Sequence, residues 1–289
     1  DSYNNKVKIP AGFKIATDSG KNVTEGVVIE DVSAGDGNTK GNQYVWVPIG
    51  NVKHNTSGAY KTINFGRYEF ETNSAGVMKQ SADNYTSVVE IDVGLDHYFK
   101  EVTSGVYNTT AKNLGDFITK AKNAGGYYIG RYEAGKVSGN TNTFNVKKGQ
   151  TVYNNITQSN AATLARNLYS SNSNFQSDLI NSYAWDTAIV FIQTFSGDTD
   201  YSMQNRLQYK LTTTGNAHDS NNYDARCNIY DMAGNVREWS TETYTYGSHA
   251  PCVSRGGDFY NSYHYTAARY DGGFSDRYDQ LGFRSTLYL

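Results

Sequence analysis

Rings have to build the core of this chain. Only 38% of its 289 residues are hydrophobic, yet 14% are aromatic, and tyrosine supplies 25 residues against 12 Phe and 3 Trp. A sizeable core is still within reach if it is assembled largely from aromatic side chains, in one large domain or two small ones. Tyrosine offers a rigid apolar body with one polar tip, so a surplus beyond what a core needs predicts a contact surface. The surplus is placed unevenly: 12 of the 25 tyrosines fall in positions 201–289.

The formal charge is −2, with 19% charged residues and no basic run. That balance argues against nucleic acid as a partner, because phosphate neutralisation dominates such affinity. It also argues against adhesion to anionic lipid. No apolar stretch approaches the roughly 18–20 residues of a membrane span, so direct membrane insertion by this segment is not expected. The chain opens at Asp1 with neither Met nor an apolar leader, as in a processed ectodomain or a chain whose leader has been removed.

Gly-, Asn-, Ser- and Thr-rich connectors recur, and no linker divides the chain, so a single domain over 1–289 is expected. Gln43–Pro48 is a compact apolar run bounded by Gly41 and Gly50, a buried strand by pattern. Residues 51–112 are polar, with short β-like pieces such as Ser87–Ile91. Leu114, Phe117, Ile118 and Ala121 fall at helical spacing before Gly125-Gly126, predicting a helix with a glycine C-cap that runs into a strand from Tyr127 to Ala134. A second helix carries Ala161, Leu164, Ala165 and Leu168. A third carries Trp185, Ala188, Ile189 and Ile192, and Val190 and Phe191 widen its apolar face. Beyond residue 200 short strands are expected at Cys227–Tyr230, Val236–Thr241, Val253–Gly257 and Gly282–Leu289. Helices early and antiparallel-looking strands late give an α+β class with short antiparallel strands and two to three helices.

A survey for catalytic chemistry is largely negative. The histidines, His54, His97, His218, His249 and His264, are scattered, with no His-Glu-x-x-His and no Gly-x-Ser-x-Gly elbow. Asp36, Asn38 and Gly41 faintly suggest a calcium loop, but no bidentate glutamate follows. Cys227 and Cys252 are the whole thiol inventory. They flank two strand-like runs, so a disulfide clip worth about 3 kcal/mol and a pair of buried free thiols both stand as readings.

The informative segment is Asn228-Ile-Tyr-Asp-Met-Ala-Gly-Asn-Val-Arg-Glu-Trp239, followed by Ser254-Arg-Gly-Gly257 and Gly282-Phe-Arg284. In order and spacing it resembles the formylglycine-generating-enzyme (sulfatase-modifying factor) branch of the C-type lectin fold. Val45-Trp-Val-Pro48, Ile129-Gly-Arg-Tyr-Glu133 and Ala184-Trp-Asp186 match that family's opening strand, second strand and helix start. The resemblance covers most of the chain, with 51–125 as a poorly matched insertion. It implies that fold, but not the oxidase chemistry. The enzymes use two cysteines after Arg-Gly-Gly, and no cysteine follows Cys252 here. No redox cofactor is therefore expected. The resemblance also implies a structural calcium held by Asp231, the carbonyl oxygens of Gly234 and Val236, and Glu238. The competing reading has the two carboxylates capped by backbone N–H groups or paired with Arg237 or Arg255.

Residues 258–281 have a distinct composition, dominated by Tyr, Asp, Ser, Asn and His, as in antibody paratopes. The stretch is similar to the variable region of diversity-generating retroelement target proteins, which use this fold. In that system adenine-directed mutation of AAC-type codons yields Tyr, Asp, Ser, His, Gly or Asn but never Lys, Glu, Gln, Met or Trp. From residue 258 onward there is no Lys, Glu, Met or Trp, and Gln280 would be an invariant position. The ligand-binding residues so implied are Asp258, Tyr260, Asn261, Tyr263, His264, Tyr265, Tyr270, Asp271, Ser275, Asp276, Tyr278 and Asp279. Phe259, Phe274 and Phe283 are expected in the core. The function implied is non-enzymatic ligand binding, receptor- or adhesin-like, with display on a bacterial cell surface or phage particle. The partner implied is a protein on another cell or phage surface. The alternatives are an oxidoreductase of the same family with an unrecognised active site, and a structural surface or pilus-like subunit.

Overall fold

A computed structural model describes residues 1–32, 35, 37–70, 89–90, 99–101, 111–205, 213–215, 224–244, 251–261 and 263–289. Asp36, His97, His218, His249 and most of the expected Ser87–Ile91 strand lie outside the described residues.

The architecture is α+β, with short, mostly antiparallel strands and, among the described residues, three α-helices: α1 (Leu114–Ala124), α2 (Gln158–Asn167) and α3 (Ser182–Phe195). The larger sheet has six strands in the order Phe13–Ile15, Val28–Asp31, Gln43–Pro48, Gly126–Gly130, Ser285–Tyr288 and Gln176–Leu179. All its pairings are antiparallel, and the last strand of the chain sits inside the sheet, between Gly126–Gly130 and Gln176–Leu179. A second sheet runs Arg269–Gly272, Cys252–Arg255, Arg237–Tyr244 and Leu281–Phe283, the last pair parallel. No helix among the described residues is long and apolar enough to cross a membrane.

The aromatic supply is spent as the sequence requires. Tyr44, Tyr127, Tyr128, Tyr132, Tyr169, Tyr201 and Tyr288 are fully buried. Most of them satisfy the hydroxyl as well: Tyr127 donates to the Ala184 carbonyl at 2.6 Å, Tyr128 to the Lys8 carbonyl at 2.8 Å, and Tyr169 to Asp31 Oδ2 at 2.9 Å. A buried ring with a bonded tip keeps the apolar gain without an unpaired polar group.

The predicted helices are all present. Gly125 closes α1 in the left-handed region at φ 74°, and its N–H donates to the carbonyls of Ala121 and Lys122. Asn181 caps α3, its side chain accepting from Ala184 N–H at 2.9 Å, and nearly every residue of that helix is buried. Two strand expectations need correction. The Cys227–Tyr230 run is a hairpin, Ala225–Arg226 against Ile229–Tyr230, because Cys227 and Asn228 both take positive φ and form its turn. The expected Gly282–Leu289 strand is two strands broken at Arg284, where the chain crosses between the sheets. Part of the 51–125 stretch belongs to the core, which takes in Val52, Ile63, Tyr68 and Phe70.

Candidate functional site

The motifs that carried the family resemblance hold one another. Arg284, fully buried at the sheet crossing, donates from Nη2 to Glu238 Oε1 at 2.6 Å and from Nε to Oε2 at 2.9 Å. It also reaches the carbonyls of Gly130 and Tyr230 at 2.8 and 2.6 Å. Glu133 receives the Val236 N–H at 3.2 Å and the Asn235 side-chain amide, fixing the turn in which Asn235 has φ 59°. Arg255 pairs with Asp186 at 2.5 Å and Glu242 at 2.9 Å, and its guanidinium lies 5.6 Å from the Trp185 ring centre. Gly256 is required beside it: its φ is +87°, and a Cβ there would come within 2.6 Å of the Met232 carbonyl. Arg284, Glu238, Glu133, Asn235, Arg255 and Asp186 thus close internal polar contacts and support the scaffold.

Arg255 belongs to a larger buried ion network. Asp186 and Glu242 each also bind Arg269, both at 2.6 Å, and Glu242 binds Arg67 at 3.0 Å. Glu101 lies against Arg67 at 3.8 Å and accepts from Ser182 and Thr241. Burial alone would raise the Glu242 carboxyl, but Arg269, Arg255 and Arg67 overcome it and hold the group well below the usual range.

This network fixes the underside of residues 258–281. Arg269 points into it, while Thr266, Ala267 and Ala268 are buried, with the N–H groups of Thr266 and Ala267 bonded to the carbonyls of Gln204 and Ser202. At the start of the segment, Asp258 is fully buried. It accepts the N–H of Tyr260 at 2.8 Å and of Asn261 at 2.7 Å, binds His264 Nδ1 at 2.7 Å and pairs with Arg237 Nε at 2.9 Å. The Tyr270 ring packs on His264 at 4.0 Å and beneath Arg237 at 5.6 Å, and its hydroxyl donates to the Tyr263 carbonyl. Burial pushes the Tyr270 hydroxyl up to about 12. Two expected ligand contacts, Asp258 and His264, are therefore supports: both are buried, and Asp258 serves as a loop cap.

What this framework turns outward is apolar surface. Tyr260 is 71% exposed, Tyr263 64%, Phe274 52% and Tyr278 48%, four of the seven large hydrophobic residues most exposed among those described. Asp271 and Ser275 are also exposed, while Asn261, Tyr265, Asp276 and Asp279 are half-buried. The core placement expected for Phe274 fails, because its strand ends at Gly272 and the side chain follows the loop outward. Phe283 is buried as expected, and Phe259 is half-buried.

Of the two readings for the cysteines, the structure has free thiols: Cys227 and Cys252 are unpaired with each other. Cys227 sits in its hairpin turn against the Thr24 carbonyl at 3.6 Å, whereas Cys252 lies in a strand opposite Gly272 and Thr243. Burial raises both thiols to about 12, so neither is a thiolate at neutral pH.

At the Asp231 turn the two carboxylates differ. Glu238 is paired, although with Arg284 rather than Arg237 or Arg255. Asp231 Oδ2 is buried without a hydrogen-bond partner among the described residues, and burial together with Asp224 and Glu238 pushes that carboxyl up to about 8. Glu133 is likewise raised by burial and by Asp231. More carboxyl groups converge here than Arg284 neutralises, and an unpartnered carboxylate oxygen is a donor type that a hard cation takes. Glu238 Oε2 accepts one N–H from Arg284 and keeps capacity for a second partner.

No protein-family model matches the sequence, and no curated protein matches it. Among solved structures the chain is similar to Treponema denticola variable protein 1, at 13% identity over 86% of this chain and 96% of that one, with a TM-score of 0.40. It is similar to the P3c variant of the Major Tropism Determinant, at 13% identity over 96% of this chain and 84% of that one, TM-score 0.40. CarF matches at 15% identity over 57% of this chain and 87% of that one, again with a TM-score of 0.40. At these identities and scores the functional case stands on the chain's own residues.

Proposed function

We propose that this is a non-enzymatic, C-type-lectin-fold binding protein whose rigid scaffold displays a diversified ligand surface from residues 258–281. One observation carries the reading: Tyr260, Tyr263, Phe274 and Tyr278 stand out into solvent from a segment whose alternate residues, Asp258, His264 and Arg269, are locked below. Exposed rings on a fixed backbone are the arrangement of binding hot spots, with the ordering entropy largely met before the ligand arrives. Asp271 and Ser275 add adaptable hydrogen bonding. A half-buried Cys227 and a buried Cys252, both protonated at neutral pH, support the non-enzymatic reading over thiol oxidation. The partner proposed is a protein on another cell or phage surface, and the setting proposed is display on a bacterial surface or phage particle.

The test is sequencing of the 3′ end of the gene across many strains. Substitutions concentrated at codons 260, 263, 271, 274, 275 and 278, with Arg255, Gly256, Asp258, Arg269 and Gly282 constant, are the expected result. A uniform spread, or an invariant end, would refute diversification.

A structural calcium is proposed at the Asp231 turn, held by Asp231, the carbonyl oxygens of Gly234 and Val236, and Glu238 shared with Arg284. It would supply positive charge to an acid-rich buried site. Calorimetric titration of chelated protein should give heat and a raised melting temperature with calcium; absence of both would sink it.

A further inference from the structure

Next to the exposed rings, the scaffold shapes two grooves of about 400 and 680 Å³ that meet along Thr141, Tyr153 and Asn155. Both volumes lie within the roughly 300–1,000 Å³ of ligand clefts. The smaller reaches from the first turns of α2 to Arg277, and the larger follows the hairpin formed by Gly135–Val137 and Asn140–Asn145.

The lining has an unusual chemistry. Among the described residues no carboxylate lines either groove, and the charged side chains that do are Lys136 and Arg277. Lys136 is engaged with Asn154 Oδ1 at 3.1 Å, while Arg277 is exposed and free of ion pairs among the described residues. Asn142, Asn155 and Asn160 are exposed, with side-chain amides that bond to nothing among the described residues. Each such amide offers a donor and an acceptor side by side, the pattern that matches vicinal hydroxyl groups. Between them stands Tyr153, half-buried and held in place: its ring packs edge-on against Phe283 at 5.6 Å, and its hydroxyl donates to the Thr141 carbonyl at 2.9 Å. A fixed ring is a preorganised platform for an apolar ligand face. Nucleic acid would need far more positive charge than two cations supply, and an apolar partner would leave the amides unpaired.

We infer that these grooves bind an oligosaccharide, whose C–H face packs on Tyr153 while Asn142, Asn155 and Asn160 bond its hydroxyls and Arg277 favours an acidic sugar unit. Apart from Arg277, which belongs to 258–281, this site is scaffold, so its hydroxyl-binding part operates whichever ligand that surface selects and does not depend on that surface being diversified.

The test is an array of neutral, uronate-containing and sialylated oligosaccharides probed with the full chain, followed by calorimetry on the glycans retained. Asn142→Ala/Asn160→Ala removes two unpartnered exposed amides, so the fold is retained, which melting temperature checks. Retention of acidic glycans is expected, weakened about tenfold or more in this double variant and in Arg277→Ala, with Tyr260→Ala/Tyr263→Ala unchanged. No glycan retained by folded wild-type protein, or equal affinity in the double variant, overturns the inference. Loss only in Tyr260→Ala/Tyr263→Ala also overturns it and assigns the sugar to the other surface. Equal retention of neutral glycans with Arg277→Ala silent overturns the role given to Arg277.

Discussion

Tyrosine does two opposite jobs in this chain, and single residues separate them. Tyr201 is fully buried and its hydroxyl donates to Asp224 Oδ1 at 2.8 Å, whereas Tyr260 is 71% exposed. Tyr201→Phe leaves a buried carboxylate short of a donor and should cost about 1–3 kcal/mol. Tyr260→Phe and Tyr263→Ala should each stay within about 0.5 kcal/mol of wild type. Urea denaturation of the three variants checks both, and a loss at Tyr260 as large as at Tyr201 would place Tyr260 in the fold. Arg255 is the extreme structural case, with every charged contact buried. Arg255→Met strips one guanidinium from Asp186 and Glu242, and the expected cost is about 3–5 kcal/mol, read from the same denaturation curves.

At the scale of elements, the segment after Arg-Gly-Gly is held at a few points, and Asp258 is the first. With its carboxylate removed, the N–H groups of Tyr260 and Asn261 lose their acceptor, and Arg237 and His264 lose their partner. Asp258→Ala should therefore speed hydrogen exchange at Tyr260 and Asn261 while the core strand Gln43–Pro48 keeps its protection; equal loss in both would mean that the cap supports the whole fold. Local periodicity was enough to find the helices, because α1 and α3 show their apolar faces at helical spacing and their caps lie next to them in sequence. The surface was legible only in part. Asp258 and His264 share the composition of their neighbours, but Asp258 is engaged by Arg237, which arrives from the strand Arg237–Tyr244, and His264 is held by Asp258 and Tyr270. Glu238 illustrates the same limit. Its backbone is in register with Arg255, yet its side chain meets Arg284, since which face a strand residue occupies depends on pairings far along the chain. The groove amides left no mark in the sequence either, as Asn is common throughout and only the fold brings Asn142 near Asn160.

For the molecule as a whole, buried ionisable groups of opposite tendency shape stability against pH. Glu242 is held below its ordinary range by three guanidinium groups, so its contribution is present above about pH 4, the unfolded carboxylate value, and is lost as pH falls below it. Asp178 behaves the other way. Burial, outweighing Arg166 at 3.0 Å, raises it to about 6, so the native state holds a proton that the unfolded chain releases. Stability from that group is complete below about pH 4 and declines as pH rises to about 6. Asp231, raised to about 8, extends the decline when no cation is bound. The chelated protein should thus be most stable near pH 4–5, weaken below it, and weaken again toward pH 8, each proton contributing at most about 1.4 kcal/mol per pH unit. Melting temperatures across pH 2–9 check the profile. Asp178→Asn should flatten the stretch between pH 4 and 6 and leave the acid limb, whereas Glu242→Gln should lower stability at neutral pH and flatten the acid limb. A curve that climbs steadily to pH 8 in chelated protein would show that Asp178 and Asp231 are ionised in the folded state, their charges matched by cationic groups beyond Arg166 and Arg284.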